Sequence, residues 1–163
     1  MSATIVPAYS ELAPRLAEAR AGRTVALTNG CFDLLHVGHV RLIREAAREG
    51  DLLVVALNDD ASAAANKGPG RPIVPLVERM EVIAALKGVD FVTSFGEPTA
   101  HGLLESLRPD VHVKGTDWEV EDLPERDVVL GYGGRIAICG DEKTHSSSEL
   151  ARRLADGADG GAG

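Results

Sequence analysis

The stretch TNGCFDLLHVGH, Thr28–His39, leads from a short apolar run, Thr24–Leu27, through a glycine turn into the start of a predicted helix. His36 and His39 stand three residues apart at that helix start, so their imidazole rings share one face of the helix. The unpaired N–H groups and the positive end of the helix favour an anion at the same place. Because Gly38 lets a ligand approach the backbone closely, the stretch predicts a phosphate-binding turn.

The histidine pair has two other interpretations, a metal half-site and a purely structural role. Asp33 is the nearest carboxylate, but no cluster of Cys, Asp or Glu at usable spacing supplies the remaining ligands of a metal. We therefore predict no protein-bound metal. Cys31 lies in the same turn and would need a general base beside it to act as a nucleophile. We interpret it instead as a small turn residue whose backbone N–H faces the ligand.

Composition and charge are those of one globular domain. The chain has 163 residues, 44% of them hydrophobic, and a formal net charge of −8. An acidic chain without a basic stripe does not fit a nucleic-acid partner. No run approaches the roughly 20 apolar residues that span a bilayer, and the first residues lack a signal-peptide pattern. We expect a cytoplasmic protein with no membrane partner, whose two cysteines, Cys31 and Cys139, are not joined in a disulfide.

Short apolar runs alternate with helical patterns along the chain. Strands are predicted in five places: Thr24–Leu27, Leu52–Asn58, Asp90–Phe95, Asp110–Val113 and Arg135–Cys139. Helices are predicted around them: Ser10–Ala21, Gly38–Arg48, Leu76–Leu86, Ala100–Leu107, Pro124–Gly131 and Ser146–Ala155. The alternation predicts a single Rossmann-like α/β domain with a doubly wound parallel sheet of five strands. We divide the chain into a helical N-terminal extension (1–22), the sheet domain (23–155) and a disordered tail (156–163).

Ligands of such sheets bind at the carboxyl ends of the strands, near the switch in strand order. Four cations could meet phosphate there or could simply face solvent: Lys67, Arg71, Arg79 and Lys114. Lys114 directly follows a buried strand, which is not a typical place for a solvated side chain. Trp118, four residues later, has two open interpretations, stacking on a base or sugar and plain packing.

A serine triplet, Ser146–Ser148, opens the last predicted helix. Ser146 and Glu149 match a capping box, in which the serine side chain caps the helix. Capping is compatible with ligand binding, because a neighbouring hydroxyl and the helix N–H groups can hold a second phosphate.

GCFDLLHVGH resembles the HxGH signature of the cytidylyltransferase-like nucleotidyltransferases. Further stretches fall in that family's order and spacing: LLVVALNDD (Leu52–Asp60), KGPGRPIVPLVERM (Lys67–Met80), PDVHVKGTDW (Pro109–Trp118) and SSS (Ser146–Ser148). The resemblance covers Thr24–Leu154. Within the family, KGxGRP and VKGxD are most similar to the adenylyltransferase domain of the bifunctional heptose kinase/adenylyltransferases. The segment before the serines lacks the arginine of the cytidylyltransferases, which disfavours cytidine.

The pattern and the resemblance together assign roles to individual residues. Catalysis is assigned to His36, His39, Lys67 and Arg79. Nucleotide contacts are assigned to Gly30, Cys31, Phe32, Asp33, Gly38, Lys114, Gly115, Asp117, Ser146, Ser147 and Ser148. Contacts with the second substrate are assigned to Asn58, Asp60, Arg71 and Trp118. The resemblance places the Cys31 and Phe32 backbone along the phosphates, the histidines at the α- and β-phosphates, and Asp117 at the nucleoside.

The resemblance implies transfer of AMP from ATP to D-glycero-D-manno-heptose 1-phosphate, with release of pyrophosphate and formation of ADP-heptose. It implies Mg²⁺ held mainly through the nucleotide phosphates, a homodimer, and a separate sugar kinase that supplies the sugar 1-phosphate. Two alternatives stay open from the sequence. One is a cytidylyltransferase that uses CTP and glycerol 3-phosphate, and the other is a nucleotide-binding module without turnover.

Overall fold

The computed structural model describes residues 2–142 and 146–159, which form an α/β fold around one parallel sheet. The sheet has six strands: β1 (Thr4–Ala8), β2 (Val25–Gly30), β3 (Leu52–Asn58), β4 (Phe91–Phe95), β5 (Val111–Gly115) and β6 (Arg135–Cys139). Their order is β1-β4-β3-β2-β5-β6, and every neighbouring pair is parallel. The predicted doubly wound α/β sheet is confirmed, with six strands instead of five.

The additional strand, β1, lies in the segment predicted to be a helical extension. It pairs only with β4 at the edge of the sheet, with an irregular register between Ile5 and Ala8. Among its residues only Val6 is buried. Pro7 has no N–H to donate to a ladder, which marks a sequence as an edge strand or as no strand. This short, interrupted pattern explains why the strand was not predicted.

The described part of the chain has seven α-helices, six between the strands and one after the last strand. They are α1 (Tyr9–Arg20), α2 (Val37–Ala46), α3 (Asp60–Lys67), α4 (Leu76–Ala84), α5 (His101–Leu107), α6 (Arg126–Gly131) and α7 (Ser147–Asp159). The sequence did not predict α3, because its DASAAANK has no stripe of large apolar residues. Residues 156–159, predicted as disordered tail, are the last turn of α7. The rest of that tail, 160–163, lies outside the described residues.

Strand β3 is buried along its whole length, and its side chains alternate between the two faces of the sheet. Leu53, Val55 and Leu57 pack in one apolar cluster with side chains of α2 and α4. Leu52, Val54 and Ala56 pack in a second cluster with side chains of α1, α5 and α6. We call these the α2 face and the α5 face of the sheet. Two covered faces explain the continuous apolar run of β3.

The switch in strand order lies between β2 and β5. From β2 the chain adds β3 and β4 on one side, and it then returns to place β5 and β6 on the other. A buried histidine crosses this junction, since His112 Nε2 of β5 lies 2.8 Å from Asn29 Oδ1 of β2. Burial, with the nearby Lys114 charge, lowers the pKa of His112 to about 3. The neutral ring therefore donates its Nε2–H to Asn29.

Arg79 of α4 ties the ends of β2 and β3 together from below the carboxyl edge of the sheet. The side chain is 2% exposed. Its donors reach the carbonyl oxygens of Val74 (2.9 Å), Cys31 (2.5 Å) and Asn58 (2.9 Å). A salt bridge of 2.7 Å joins it to the Asp60 carboxylate. The predicted catalytic cation is thus engaged by the backbone that shapes the edge.

Replacement of Arg79 by methionine should destabilise the fold by about 3 kcal/mol or more, because buried carbonyls lose their donors and Asp60 loses its partner. Urea unfolding of Arg79→Met beside the wild type measures this. Arg15→Met, at an exposed arginine of α1, is the matched control and should change stability by less than about 0.5 kcal/mol. Equal stability of the two variants would contradict the structural role of Arg79.

His112 should make folding stability depend on acid pH. Its pKa is about 3 in the folded protein and about 6.5 when unfolded. Below pH ~6.5 only the unfolded chain binds this proton, so stability is lost as pH falls, by up to about 1.4 kcal/mol per pH unit. Urea unfolding at several pH values between about 7 and 4 should show a shallower loss for His112→Leu than for the wild type. Parallel losses would show that His112 does not contribute.

Candidate active site

A cavity of about 680 Å³ opens at the carboxyl edge of the sheet, above the switch between β2 and β5. This is the place and the size expected of a small-molecule site. Most of the residues predicted to form the site line it: Gly30, Cys31, Phe32, Asp33, His36, Gly38, His39, Asn58, Lys67, Arg71, Lys114, Gly115, Asp117, Trp118, Ser146, Ser147 and Ser148. Two predicted residues do not line it, Arg79 and Asp60. The prediction that Arg79 is catalytic and that Asp60 contacts substrate finds no support in their positions.

The two histidines share the N-terminus of α2, where each accepts a backbone N–H. His36 is the N-cap, and its Nδ1 accepts from Gly38 N at 3.1 Å. His39 Nδ1 accepts from His36 N at 3.4 Å. The rings are stacked, with centroids 3.9 Å apart and planes 26° from parallel. Because Nδ1 is the acceptor in both rings, the proton of each neutral imidazole is on Nε2.

Gly38 has a structural role beside the ligand contact predicted for it. A Cβ at this position would lie 2.9 Å from Cε1 of His36, closer than a real side chain tolerates. The glycine therefore makes room for the imidazole that caps the helix, in addition to any ligand. In the turn before it, Phe32 and Leu34 adopt left-handed backbone with φ of 49° and 48°. Strained residues of this kind persist where the surroundings over-determine the backbone, which is common at functional sites.

Asp33 is a structural centre of the site, although it was predicted to contact nucleotide. Its buried carboxylate accepts from Arg71 Nε at 2.7 Å, Ile73 N at 2.9 Å and Val74 N at 3.0 Å. Burial alone would raise the pKa of Asp33, but these donors together hold it below its ordinary value. The Asp33 carbonyl also accepts from the Ser147 hydroxyl. Asp33 thereby fastens the loop after α3 and the start of α7 to the histidine turn.

Asn58 and Cys31 close the floor of the cavity between β2 and β3. Asn58 is 6% exposed, and its Nδ2 donates to Ser62 Oγ at 3.3 Å. Cys31 Sγ lies 3.6 Å from Asn58 Oδ1. Burial raises the pKa of the Cys31 thiol, which disfavours the thiolate that a nucleophile needs.

The N-terminus of α7 borders the cavity beside that of α2. Ser146 Oγ accepts from Glu149 N at 3.1 Å, so the predicted cap is present. Ser147 and Ser148 also line the cavity. Residues 143–145, which precede the triplet, lie outside the described residues. Arg41 of α2 forms an ion pair with Asp141, and both were missed by the sequence analysis although both line the cavity.

Lys114, Asp117 and Trp118 form the wall of the cavity beyond β5. Lys114 is 9% exposed, and its Nζ lies 5.1 Å from the centre of the Trp118 ring. Burial lowers the pKa of Lys114, against the opposing charges of Glu125 and Asp117. A Cβ at Gly115 would lie 2.8 Å from Asp117 Oδ1, so the glycine admits that carboxylate.

Several cavity residues on the α5 face were not predicted. They include Asn29, Pro98, Thr99, Ala100, Pro124 and Glu125. Asn29 lies inside the histidine motif and directly follows a buried strand, a signal that could have identified it. Glu125 is 6% exposed, and its Oε1 accepts from Ala100 N at 3.2 Å. Nothing in the local sequence distinguishes it from the other acidic residues that surround it.

Within residues 2–142 and 146–159, no group of three or more His, Cys, Asp or Glu side chains is arranged to hold a metal ion. The described helices include none with the length and apolar character needed to cross a bilayer.

Comparison with known proteins agrees with this geometry. The chain is 46% identical over 139 residues to the bifunctional protein HldE of Syntrophotalea carbinolica, an alignment that covers 85% of the chain and 28% of that relative. It is 42% identical over 150 residues to the bifunctional protein HldE of Ectopseudomonas mendocina, covering 91% of the chain and 32% of the relative. The chain therefore spans about a third or less of the length of these relatives.

Solved structures share the fold. A lipopolysaccharide core biosynthesis protein from Thermoplasma volcanium matches with a TM-score of 0.66 and 27% identity, over 75% of this chain and 100% of that one. The pantoate-beta-alanine ligase of Francisella tularensis matches with a TM-score of 0.64, over 95% of this chain and 78% of that one, and at 16% identity it shows the fold alone. A family model, described as cytidylyltransferase-like, matches residues 27–153. The predicted resemblance is thus confirmed, and the chain belongs to the cytidylyltransferase-like family.

Proposed function

We propose that the chain transfers AMP from ATP to D-glycero-D-manno-heptose 1-phosphate, forming ADP-heptose and pyrophosphate. The observation that carries the proposal is the histidine pair, whose Nε2–H groups are set by the backbone at a helix N-terminus on the cavity wall. Donors fixed before the substrate arrives are what charge stabilisation in phosphoryl chemistry requires. The resemblance of KGxGRP and VKGxD to the heptose adenylyltransferases, and the identity to two HldE proteins, support the choice of substrates.

In the proposed reaction a phosphate oxygen of the sugar 1-phosphate attacks the α-phosphorus of ATP. The new O–P bond forms as the bond to the β-phosphate breaks, and pyrophosphate leaves with that electron pair. The acceptor phosphate is already an anion, so no strong base is needed. His36 and His39 donate from Nε2 to the α- and β-phosphate oxygens, and Lys67, at the end of α3, adds positive charge.

The terminal phosphates are assigned to the start of α7. There the hydroxyl of Ser148 and the first backbone N–H groups of the helix border the cavity, whereas the Ser147 hydroxyl donates to the Asp33 carbonyl. Two helix N-termini, those of α2 and α7, thus meet the triphosphate from neighbouring directions. The carboxylate of Asp117 is assigned to the nucleoside.

The donor set of this cavity fits Mg²⁺ that arrives with the nucleotide. Beside the histidines stand N–H donors, hydroxyls and cations, which bind phosphate, and the nearby carboxylates of Asp33 and Asp141 are paired with arginines. When bound through phosphate oxygens and water, Mg²⁺ neutralises part of the triphosphate charge. An upstream kinase activity that supplies the sugar 1-phosphate, a homodimer and a cytoplasmic location belong to the same proposal.

Pyrophosphate release is the direct test. We expect turnover with Mg²⁺, ATP and heptose 1-phosphate, and at least about 100-fold less with CTP, GTP or UTP, because a mismatched base leaves polar groups of the site unpaired. Turnover with CTP and glycerol 3-phosphate would instead assign the alternative cytidylyltransferase activity. Nucleotide binding without turnover on either acceptor would favour a module that only binds nucleotide.

Substitutions at His36 separate its two functions. His36→Ala removes the cap and the Nε2–H, whereas His36→Asn keeps an oxygen that can accept from Gly38 N. We expect both to lower kcat by about 10²- to 10³-fold, and only His36→Ala to lose about 1 kcal/mol of stability. Steady-state kinetics and urea unfolding measure the two effects. Wild-type kcat in His36→Asn would show that the Nε2–H has no catalytic function.

A further inference from the structure

The α5 face of the cavity carries a polar group of its own. Along β5, Val111 and Val113 pack on the α2 face, so the alternating residues His112 and Lys114 lie on the α5 face. Asn29 follows the same alternation on β2, two residues after Leu27, which belongs to the α5-face cluster. We call Asn29, Lys114 and Glu125 the α5-side cluster. All three line the cavity.

Lys114 in this cluster is mostly buried, and its ammonium group lies against the face of Trp118. The residue is 9% exposed, its Nζ lies 5.1 Å from the centre of the Trp118 ring, and none of the hydrogen bonds among the described residues comes from this Nζ. Glu125 is near enough to influence its charge, but no salt bridge among the described residues joins the two. Burial of an ammonium group is costly unless a partner compensates it. A ligand oxygen in the cavity that both residues line would give Lys114 a hydrogen-bond acceptor, which the Trp118 ring does not supply.

The donors and acceptors of the cluster are complementary to hydroxyl groups. Asn29 Oδ1 accepts a hydrogen bond from His112, which leaves Nδ2 as the donor of the Asn29 side chain. Glu125 Oε1 accepts from the backbone N–H of Ala100, which leaves Oε2 as an acceptor for a ligand. Lys114 donates. A hydroxyl both donates and accepts, so it matches this mixed set, whereas a phosphate would be repelled by the Glu125 carboxylate.

The in-line geometry of phosphoryl transfer indicates which of the two substrates carries these hydroxyl groups. In phosphoryl transfer the attacking and leaving oxygens lie roughly in line, on opposite sides of the phosphorus. The proposed site holds pyrophosphate at the N-terminus of α2, a helix that packs on the α2 face. The attacking sugar phosphate must then approach from the other side, which is the α5 face.

We propose that Asn29, Lys114 and Glu125 form a subsite that binds the hydroxyl groups of the acceptor sugar, with His112 positioning Asn29. This inference rests on the proposed function and deepens it. It moves Lys114 from the nucleotide, to which the sequence analysis assigned it, to the second substrate. Trp118, which contacts Lys114, lies where an apolar face of the sugar could pack.

Kinetics of Lys114→Met and Glu125→Gln test the subsite. The methionine keeps the apolar stem, and the glutamine keeps an oxygen for the Ala100 N–H. We expect KM for heptose 1-phosphate to rise about 10- to 100-fold in each, the effect of one lost charged hydrogen bond, with KM for ATP within about twofold of the wild type. Lys87→Met, at an exposed lysine, is the matched control and should change neither constant.

Calorimetric titrations with each substrate alone distinguish a failure of the subsite from a failure of the proposed function. The wild type should bind ATP and heptose 1-phosphate, and the variants should lose affinity for the sugar phosphate only. A selective rise in KM or Kd for ATP would overturn the subsite, because the hydroxyls would then be those of the ribose. Unchanged constants for both substrates would overturn it as well. A wild type that neither binds nor uses heptose 1-phosphate would overturn the proposed function itself.

A structural role for Lys114 predicts a different result. If Lys114 served mainly to neutralise Glu125, Lys114→Met would lower the melting temperature, and Glu125→Gln introduced beside it would restore stability. The subsite predicts little change in the melting temperature of Lys114→Met, since no salt bridge or hydrogen bond from Lys114 to another described residue is lost. Thermal unfolding of the single and double variants decides between the two.

Discussion

The site depends on the Asp33 carboxylate more than on any other group. Its two oxygens accept one guanidinium N–H and two backbone N–H groups from the loop that follows α3, and its own carbonyl accepts the Ser147 hydroxyl. Two segments far apart in the chain are thereby fixed to one turn. This buried anion holds the loop that follows Lys67 and the start of α7 beside the histidine turn.

The charged side chains of this protein differ in role: some hold the backbone around the site together, and others line its cavity. The Arg79 guanidinium donates to three carbonyl oxygens and to Asp60, and the Arg71 guanidinium donates to Asp33. Arg79 is therefore committed to the framework, whereas Arg71 both binds Asp33 and lines the cavity, as do Lys67, Lys114 and the two imidazoles. A planar guanidinium with several fixed donors suits the first task, because it can join several backbone segments at once.

The fold could be predicted from the sequence because its signals are local. The apolar run of β3, the alternation of strands and helices, and the histidine turn all indicate a doubly wound parallel sheet. Strand β1 and helix α3 could not be predicted from those signals, since one contains a proline at an edge and the other is built from alanines. The formation of β1 depends on β4, a partner distant in the chain that a local pattern does not record.

The sequence predicted which residues gather at the candidate site better than it predicted what each of them does there. The residues after each strand were correctly expected to gather at one edge, as the shared cavity shows. Whether a cation faces the cavity or the framework depends on the surrounding oxygens, so Arg79 and Asp60 could not be placed from their positions in the sequence. Glu125 was missed for the same reason: only the packing of Ala100 against it brings it to the wall.

The cavity crosses the sheet edge at the junction of β2 and β5, so its two halves are built by different helices. The α2 half is formed largely by one short motif and its supports, whereas the α5 half is formed by side chains from several connecting segments. Substitutions in those segments could reshape one half while the histidine turn and its cap stay intact. A fold divided in this way can vary one half of its cavity over evolution without rebuilding the other.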